Sequence, residues 1–281
     1  MTEKTVLITG CSTGIGLHLA QSLKEHGYQV FASARKPDDV EKLESLGLRT
    51  LLLDVTDSSS IQTAVSTLLK ETNGTLYALI NNAGFGQAGA VEDLNRDTLR
   101  NQFETNLFGL VELTNELLPV MHQQGFGRII QISSVLGFVA MPFRGAYIAS
   151  KFALEGISDT LRMELKNTNI YVSLVEPGPI TSRFRENSLE SFNKNIDSEK
   201  SRFHKQYQST ITRLETKGPA IPFTLGPEAV SKKVLHALNS SRPKHRYYVT
   251  VPTYLFAYLK RILPSKILDK LLSGSSKLEG K

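Results

Sequence analysis

The amino-acid sequence predicts an α/β protein in which a doubly wound parallel sheet carries helices on both faces. Two observations favour this fold class: a globular composition over 281 residues, 40% hydrophobic and 21% charged, and an alternation of short β-branched runs with helical patterns. Such a length and composition suit one large core. Right-handed strand–helix–strand crossovers then place the strands side by side in one sheet. We therefore predict a single domain.

Six buried strands are predicted in the first two hundred residues, and a later strand is expected to join an edge of the sheet. Between the strands, amphipathic periodicity predicts helices, for example over 16–27 and 59–72. Short runs rich in Val, Ile and Leu mark the strands, which cover 5–9, 29–33, 50–54, 77–81, 128–133, 170–175 and 246–251.

The stretch after the sixth strand, from Thr181 to Leu225, is polar and lacks periodicity in places. It leaves the carboxyl edge of the sheet, where doubly wound sheets bind ligands. A long insertion at this edge is typical of a lid or binding loop, so we predict a substrate loop over 182–225. A surface excursion without a role is the alternative. The dinucleotide-binding catalytic domain is thereby expected to span 1–251, and a basic helical extension to follow over 252–281.

This extension carries most of the positive charge. Residues 242–281 hold nine Lys/Arg and two Asp/Glu, a local charge of +7, so the rest of the chain sums to −1 within the total of +6. Pro264 is expected to divide two short helices. Over 252–272, bulky apolar residues mix with lysine and arginine. This pattern suits a contact with an anionic membrane surface, or a helix packed on its own domain or across a dimer.

Composition also argues against several function classes. The body of the chain has no basic stripe interleaved with aromatic residues, so we expect no nucleic-acid partner. Cys11 is the only cysteine, so no intramolecular disulfide can form, and we predict no metal site. No secretory signal and no apolar run long enough to span a bilayer are visible, which favours a cytoplasmic location.

A glycine-rich turn, TGCSTGIG, follows the first predicted strand and places Gly10, Gly14 and Gly16 before a helix. Glycine permits a sharp turn and a close approach of the backbone to a ligand. The N-terminus of the next helix offers unpaired N–H groups and a positive dipole end to a pyrophosphate. The turn predicts dinucleotide binding, although any strand-to-helix turn favours glycine and the spacing departs from G-x-G-x-x-G.

The end of the second strand bears on which dinucleotide is bound. NAD-dependent enzymes often place a carboxylate here, which holds the ribose 2′-hydroxyl. This chain has Ser33, Ala34, Arg35 and Lys36 instead, and a guanidinium suits a 2′-phosphate. We therefore predict NADP (NADPH) as the cofactor and Arg35 as its main anchor. A solvated basic turn is the alternative.

Further motifs fall at strand ends or on adjoining helices. NNAG closes the fourth strand, Asn106 lies in a long helical pattern, and Ser134 follows the fifth strand. Tyr147 and Lys151 stand one turn apart at the start of an amphipathic helix. Each alone has a plain structural explanation. Together and in this order, they resemble the short-chain dehydrogenase/reductase family over the range Thr5–Thr181.

The resemblance implies a Rossmann-type fold and hydride transfer between a nicotinamide and a carbonyl or alcohol. Tyr147 would be the general acid or base. Its pKa, near ~10 in a free side chain, must fall for proton transfer at neutral pH, and the ammonium of Lys151 would lower it. Lys151 would also bind the nicotinamide ribose, and Ser134 would orient the substrate oxygen. Asn106 would hold a water that links Lys151 to solvent.

The same resemblance assigns the cofactor-binding residues to the glycine-rich turn, the strand ends and the segment after the sixth strand. Asp54 would meet the adenine, and Asn81 with its neighbours would line the adenosine-ribose side. The full set is Gly10, Ser12, Thr13, Gly14, Ile15, Gly16, Arg35, Asp54, Asn81, Ala83, Gly84, Tyr147, Lys151, Pro177, Gly178, Ile180 and Thr181.

Two stretches, TGCSTGIGLHLA and YIASKFALEGISDTLRMEL, look like the steroid and retinol dehydrogenase branch and related bacterial aldehyde reductases. Phe138, Met141, Phe143 and Phe184 lie near the active-site segments, so we expect an apolar aldehyde, ketone, steroid- or retinoid-like substrate. Core or dimer packing is the alternative explanation for these side chains. A 3-oxoacyl-type reductase and a dinucleotide-binding redox sensor are the alternative functions. Many relatives form homodimers or homotetramers, and the same is expected here.

Overall fold

Seven parallel strands form a single sheet in the computed structural model, which describes residues 4–216, 218 and 222–278. The strand order is β3-β2-β1-β4-β5-β6-β7. This arrangement confirms the predicted doubly wound α/β fold, with the late strand β7 at an edge. The strands are β1 (Thr5–Ile8), β2 (Gln29–Ala34), β3 (Arg49–Leu52), β4 (Ala78–Asn81), β5 (Gly127–Ile132), β6 (Ile170–Glu176) and β7 (Arg246–Tyr248).

Helices cover both faces of the sheet because the central strands are apolar on both sides. On one face, Leu19, Leu23 and Val234 pack with alternate residues of β1, β2 and β4. On the other face, Ile61 and Leu113 pack with the remaining strand residues. The helices are α1 (Gly14–Glu25), α2 (Pro37–Ser45), α3 (Ser58–Glu71), α4 (Arg96–Phe103), α5 (Gly109–Gln124), α6 (Gly145–Glu164), α7 (Phe184–Asn195), α8 (His204–Glu215), α9 (Glu228–Asn239), α10 (Val251–Ile262) and α11 (Ser265–Leu278).

The predicted strands match the observed ones to within a few residues at each end. The largest difference is at β7, which ends at Tyr248 because α10 begins three residues later. The strand order reverses between β1 and β4, whose neighbours lie on opposite sides. The loops that follow β1 and β4 therefore separate at the carboxyl edge and leave a crevice there.

The predicted substrate loop 182–225 is largely helical, because α7 and α8 occupy most of it. Apolar side chains at helical spacing hold the two helices together: Phe192 packs against Tyr207, with ring centroids 5.0 Å apart. The Tyr207 hydroxyl accepts the N–H of Ala90 at 2.8 Å and so ties this unit to the main domain. Residues 217 and 219–221 of the predicted loop lie outside the described residues.

The predicted C-terminal extension forms two helices that meet at Pro264, as expected. Phe256, Leu268 and Leu272 pack against Leu136 and Ile148 of the main domain. One face of the extension is therefore covered by its own domain, which is the second of the two sequence interpretations. Residues 1–3 and 279–281 of the predicted domain and extension lie outside the described residues. Among the helices in the described part, none is long and apolar enough to cross a bilayer.

Candidate active site

A cavity of about 1410 Å³ opens at the carboxyl edge of the sheet, where the loops after β1, β2, β4, β5 and β6 meet. We call its two parts the glycine end and the apolar end. The glycine end is lined by Gly10, Ser12–Gly16, Arg35 and Asn82–Gly84. The apolar end is lined by Val139, Met141, Phe184, Phe223 and Phe256.

The glycine end is built from main chain that leaves no room for side chains. Gly10 has a φ of +70°, and a Cβ there would lie 2.8 Å from the Cα of Ala83. A Cβ on Gly16 would collide with the carbonyl oxygen of Gly10. Because any side chain would fill this cradle, its shape fits a pyrophosphate that approaches the backbone at the start of α1.

Two side chains lock the glycine-rich turn to the NNAG turn. The Thr9 hydroxyl oxygen accepts the N–H groups of Asn82 and Ala83 at 3.0 and 2.9 Å. The Asn82 amide donates to the carbonyl oxygens of Thr9 and Gly10 at 2.9 and 3.0 Å. These four bonds fix the cradle's width without help from a ligand.

Arg35 and Lys36 are exposed at the end of β2 and line the cavity. Asp39, on the first turn of α2, lines the same part of the cavity, and sequence analysis missed this acid. Asp54 also lines the cavity, where its carboxylate accepts the N–H and hydroxyl of Thr56. Two cations and an acid thus surround the position predicted for the 2′-phosphate.

Three predicted site residues do not line the cavity. Asn81 is buried in β4 and donates to Thr114 at 3.0 Å, whereas its neighbour Asn82 does line the cavity. Asn81 still belongs to the buried strand and Asn82 is the first residue beyond it, so the two side chains point in different directions. This strand boundary is the signal that distinguishes them. Thr181 pairs its N–H with Leu225, outside the lining.

Asn106 is the third such residue, and it lies in a π-helical turn, Glu104–Phe108, between α4 and α5. Its amide donates to the Phe85 carbonyl and to the Ser150 hydroxyl at 3.0 and 3.1 Å, and its oxygen accepts the Phe85 N–H at 3.1 Å. The side chain is fully buried. It fixes the loop after β4 from behind rather than facing the cavity.

Ser134 and Tyr147 both line the cavity. Tyr147, on the first turn of α6, is buried, and its ring stacks edge-on against Phe184 at 5.2 Å. Burial raises the pKa of Tyr147 to about 12, although a hydrogen bond with Ser134 and the charge of Arg144 both lower it. The expected fall of this pKa is therefore not found in these surroundings, because desolvation of the phenolate outweighs both favourable contacts.

Lys151 is also buried, one turn along α6 from Tyr147. Its ammonium donates to the Ile132 carbonyl at 2.7 Å and lies 5.8 Å from the centre of the Tyr147 ring. Burial lowers the pKa of Lys151 to about 8, and the charge of Glu155 opposes this change. A lysine with a lowered pKa beside a buried phenol is typical of a site that moves protons.

Of the four side chains expected near the substrate, two line the apolar end: Met141 and Phe184. Phe143 has a φ of +61° and instead packs edge-on against Phe203 and Tyr207. Phe138 packs against Tyr248. The packing alternative is therefore the better account of Phe138 and Phe143. Val139, Phe223 and Phe256 were not predicted.

The single thiol takes no part in the site. Cys11 is fully buried in the glycine-rich turn, where its S–H donates to the Ile8 carbonyl. Burial raises its pKa to about 12, so the reactive thiolate is scarce at neutral pH. Over residues 4–216, 218 and 222–278, no group of three or more His, Cys, Asp or Glu side chains could hold a metal ion.

Known proteins resemble this chain over most of its length. The family model for short chain dehydrogenase matches residues 4–192. An uncharacterized oxidoreductase, YbbO of Escherichia coli (strain K12), is 46% identical over 272 residues, which are 97% of this chain and 95% of that protein. The 17-beta-hydroxysteroid dehydrogenase type 1 of Homo sapiens is 35% identical over 263 residues, 89% of this chain and 78% of that protein.

A solved structure of an actinorhodin polyketide ketoreductase with NADPH superposes with a TM-score of 0.71. It is 26% identical and covers 88% of this chain and 95% of its own. The glycine-rich cradle, the paired Ser134 and Tyr147 and the buried Lys151 lie in the part that the family model matches. The chain therefore belongs to the short-chain dehydrogenase/reductase family of oxidoreductases and resembles its steroid and retinol dehydrogenase branch.

Proposed function

We propose that this protein is an NADP-dependent oxidoreductase that interconverts a carbonyl and an alcohol on an apolar substrate, with Tyr147 as general acid and base. One observation carries the proposal: Tyr147, Ser134 and Lys151 line the same cavity, with the Lys151 ammonium 5.8 Å from the centre of the Tyr147 ring. The dinucleotide supplies or accepts the hydride. This chain's residues supply the proton and the alignment.

In the reduction direction, Tyr147 donates its proton to the carbonyl oxygen while Ser134 holds that oxygen by a hydrogen bond. Burial keeps the phenol protonated, so Tyr147 is ready to act as the acid. The reverse reaction needs the phenolate, which Lys151 and a positively charged nicotinamide would stabilise. One N–H of Lys151 already bonds Ile132; the other two can bind the nicotinamide ribose.

The structure changes which group of Asn106 would bind the relay water in this proposal. Within the part of the chain that the structure describes, its side-chain amide bonds Phe85 and Ser150. A relay water that serves Lys151 would therefore bind its main-chain carbonyl, in the π-helical turn, rather than its amide. The side chain's part would be to hold that turn in place.

We propose NADP rather than NAD because Arg35 and Lys36 follow β2 and line the cavity. Paired cations suit a 2′-phosphate, which carries more charge than a ribose hydroxyl. The polyketide ketoreductase that superposes on this chain was solved with NADPH, which supports the same choice. Asp39 is the counter-argument, because a carboxylate in this region would favour NAD.

The proposed substrate class rests on the aromatic and aliphatic side chains of the apolar end, although polar side chains of α7 such as Asn187, Glu190 and Lys194 also line the cavity. Apolar surroundings favour a hydrophobic aldehyde, ketone or steroid-like molecule over a small hydroxy acid. The steroid dehydrogenase that resembles this chain acts on a molecule of that kind by its name. A 3-oxoacyl thioester is the alternative substrate.

The test is NADPH consumption against a panel of apolar aldehydes, ketones, steroids and one 3-oxoacyl thioester. We expect Tyr147→Phe to lower kcat by about 10³-fold on any active substrate, since the variant keeps the ring and loses the proton. Tyr254→Phe, an exposed tyrosine on α10, is the matched control and should not change kcat. Tight NADPH binding without turnover across the panel would support the redox-sensor alternative instead.

We also propose that the protein works as a homodimer or homotetramer through α5 and α6. Phe108, Phe152 and Ile157 are exposed apolar side chains on and beside these helices, and Phe108 and Ile157 share a shallow surface pocket. Sedimentation velocity of the purified protein and of Ile157→Asp measures this directly. A monomer in both samples would reject the proposal.

For location, we propose the cytoplasm, with the outer face of the extension touching a membrane surface. Val251, Leu255, Tyr258 and Ile262 are 59%, 51%, 65% and 56% exposed and fall at helical spacing on one face of α10, beside basic residues. Flotation with vesicles that contain phosphatidylserine, compared with phosphatidylcholine alone, tests this. Equal recovery of Leu255→Asp and the unchanged protein with the anionic vesicles would argue against the contact.

A further inference from the structure

Behind Ser134 and Lys151 lies a buried group of charged side chains for which the proposed reaction has no use. Glu155 lies on α6, one turn beyond Lys151, and Glu176 is the last residue of β6. Their exposed fractions are 7% and 0%. Arg246, the first residue of β7, lies between the two carboxyl groups.

Arg246 joins three acids. Its Nη1 donates to Glu155 Oε2 at 2.7 Å and lies 3.4 Å from Glu176 Oε1, while its Nη2 donates to Asp159 Oδ2 at 2.6 Å. The other oxygen of Glu155 accepts the Ser133 hydroxyl. Both oxygens of Glu155 thus have a donor, whereas no donor among the described residues reaches Glu176 Oε2.

This asymmetry determines where a proton lies. Two buried carboxyl groups in contact cannot both ionise easily, so one keeps its proton. Burial and the charge of Glu155 raise the pKa of Glu176 to about 9, against the opposing charge of Arg246. Burial raises the pKa of Glu155 as well, but the Ser133 hydroxyl and the charge of Arg246 oppose this change, so Glu155 is the member of the pair that is better held as the carboxylate. The oxygen of Glu176 that no described donor reaches is therefore suited to carry the proton.

The network touches the active-site segments through main-chain neighbours. Ser133 immediately precedes Ser134, and Glu176 immediately precedes Pro177, whose carbonyl accepts the Val135 N–H at 2.8 Å. A Cβ on Gly137 would lie 2.7 Å from the Ser133 hydroxyl, so the chain there packs directly on the bond between Ser133 and Glu155. A change in that bond would be passed to the loop that carries Ser134.

We propose that Glu155, Glu176 and Arg246 are a positioning network for Ser134 and Lys151, and that Glu176 is its protonated member at neutral pH. The link to catalysis rests on the proposed function; the proton assignment does not. When Glu176 loses its proton, the carboxylates of Glu155, Glu176 and Asp159 all share the guanidinium of Arg246, and Glu176 and Glu155 repel each other and separate. The Ser133 contact and the setting of Lys151 change with it.

Several other charged or titratable groups face this pair. Asp159 shares Arg246 and is also held by Arg162 at 3.1 Å. The groups that face the pair are Lys151 and Asp159 from α6, Tyr248 from β7, Lys260 from α10 and the hydroxyl of Ser133, the residue after β5. Arg162 and Arg261 act one step away, on Asp159 and Tyr248.

The first measurement is thermal unfolding of the full chain from pH 5 to pH 9. The unfolded protein releases the Glu176 proton near pH 4.5 and the folded protein only near pH 9. Stability conferred by the bound proton is therefore lost steadily as pH rises through this window. Glu176→Gln has the shape and the donor of the protonated acid but does not titrate. Its Tm should rise relative to the unchanged protein as pH increases.

Asp159→Asn is the matched control, because Asp159 also bonds Arg246 but is partly exposed. It should show no relative gain in Tm across the same pH range. A Glu176→Gln protein that is destabilised at every pH, as a partner-deprived Arg246 would produce, overturns the assignment of the proton.

The second measurement is the pH profile of kcat/KM with NADPH. We expect Glu176→Gln to keep kcat/KM within about two-fold at pH 7 and to extend activity to higher pH. Glu155→Gln should lower kcat by about ten-fold with NADPH affinity retained, because Ser134 is misplaced. An unchanged alkaline limb in Glu176→Gln overturns the positioning role. Absence of turnover in the unchanged protein rejects the proposed function, while the Tm comparison still decides the proton.

Discussion

At the glycine end of the cavity the wall is main chain, and at the apolar end it is side chains from segments far apart in sequence. The cradle of Gly10 and Gly16 is held by Thr9 and Asn82 through four hydrogen bonds. The apolar end combines the loop after β5 with α7, the segment near Phe223 and α10. A wall of main chain has no room for an added side-chain atom, whereas side chains in a wall can be substituted and can repack.

This contrast also separates recognition from selectivity. The glycine end can accept only what fits a rigid backbone, because added side chains there would collide with main-chain atoms. Part of the apolar end rests on α7, which packs with α8 and with Ala88 and Ala90 of the loop after β4 in one small cluster. We therefore expect substitutions at the glycine end to cause a large loss of dinucleotide affinity. Substitutions at the apolar end should change KM by a smaller factor that depends on the substrate.

The largest effect is expected from Gly16→Ala. The new Cβ would meet the Gly10 carbonyl oxygen and the Asn82 amide, both of which are held by hydrogen bonds. Strain of about 3 kcal/mol would weaken NADPH binding about 100-fold or more, measured by fluorescence titration. Gly156→Ala is the control, because a Cβ there has no heavy atom within 4 Å, and it should bind NADPH normally. Equal affinity in both variants would show that the cradle is not rigid.

An intermediate effect is expected from Arg35→Asp. Loss of a charge-assisted hydrogen bond to the 2′-phosphate should weaken NADPH about 10-fold and leave NADH nearly unchanged. Arg242→Asp changes the charge equally at an exposed position away from the cavity and serves as the control. If both cofactors weaken to the same degree, Arg35 has a structural role and the choice of NADP fails.

The smallest effect is expected at the apolar end, from Phe184→Leu. Loss of the ring contact with Tyr147 at 5.2 Å should raise KM for a bulky apolar substrate about 2- to 10-fold. NADPH affinity should stay constant, because Phe184 does not belong to the glycine end. A fall in NADPH affinity as large as the change in KM would mean that the two ends are not independent.

Much of this molecule is visible in its sequence because local rules fix it. Strand composition and helical periodicity predict the order of strands and helices along the chain. The turn TGCSTGIG predicts the cradle from the conformational needs of glycine alone. The spacing of Tyr147 and Lys151 predicts one shared face of a helix. Pro264 predicts where one terminal helix ends. Each of these features depends on residues that are near neighbours in the chain.

Other features depend on which distant segments pack together. Asn82 rather than Asn81 lines the cavity, because Asn81 still lies within strand β4 and bonds Thr114. Asn106 bonds Phe85 instead of facing the cavity, because it lies in a π-helical turn. Met141 lines the apolar end while Phe143 packs on Tyr207.

Burial in the folded chain raises the pKa of Tyr147. The packing of α6, β6 and β7 brings Glu155, Glu176 and Arg246 together. The sequence by itself determined the fold class and the cradle, because short-range geometry suffices for these, and its resemblance to the short-chain dehydrogenase/reductase family pointed to the candidate proton donor. Only the tertiary structure decided side-chain direction, desolvation and the meeting of residues about ninety apart, such as Glu155 and Arg246. These depend on the environment that the rest of the chain creates, since a charge's stability is set by the dielectric and donors around it.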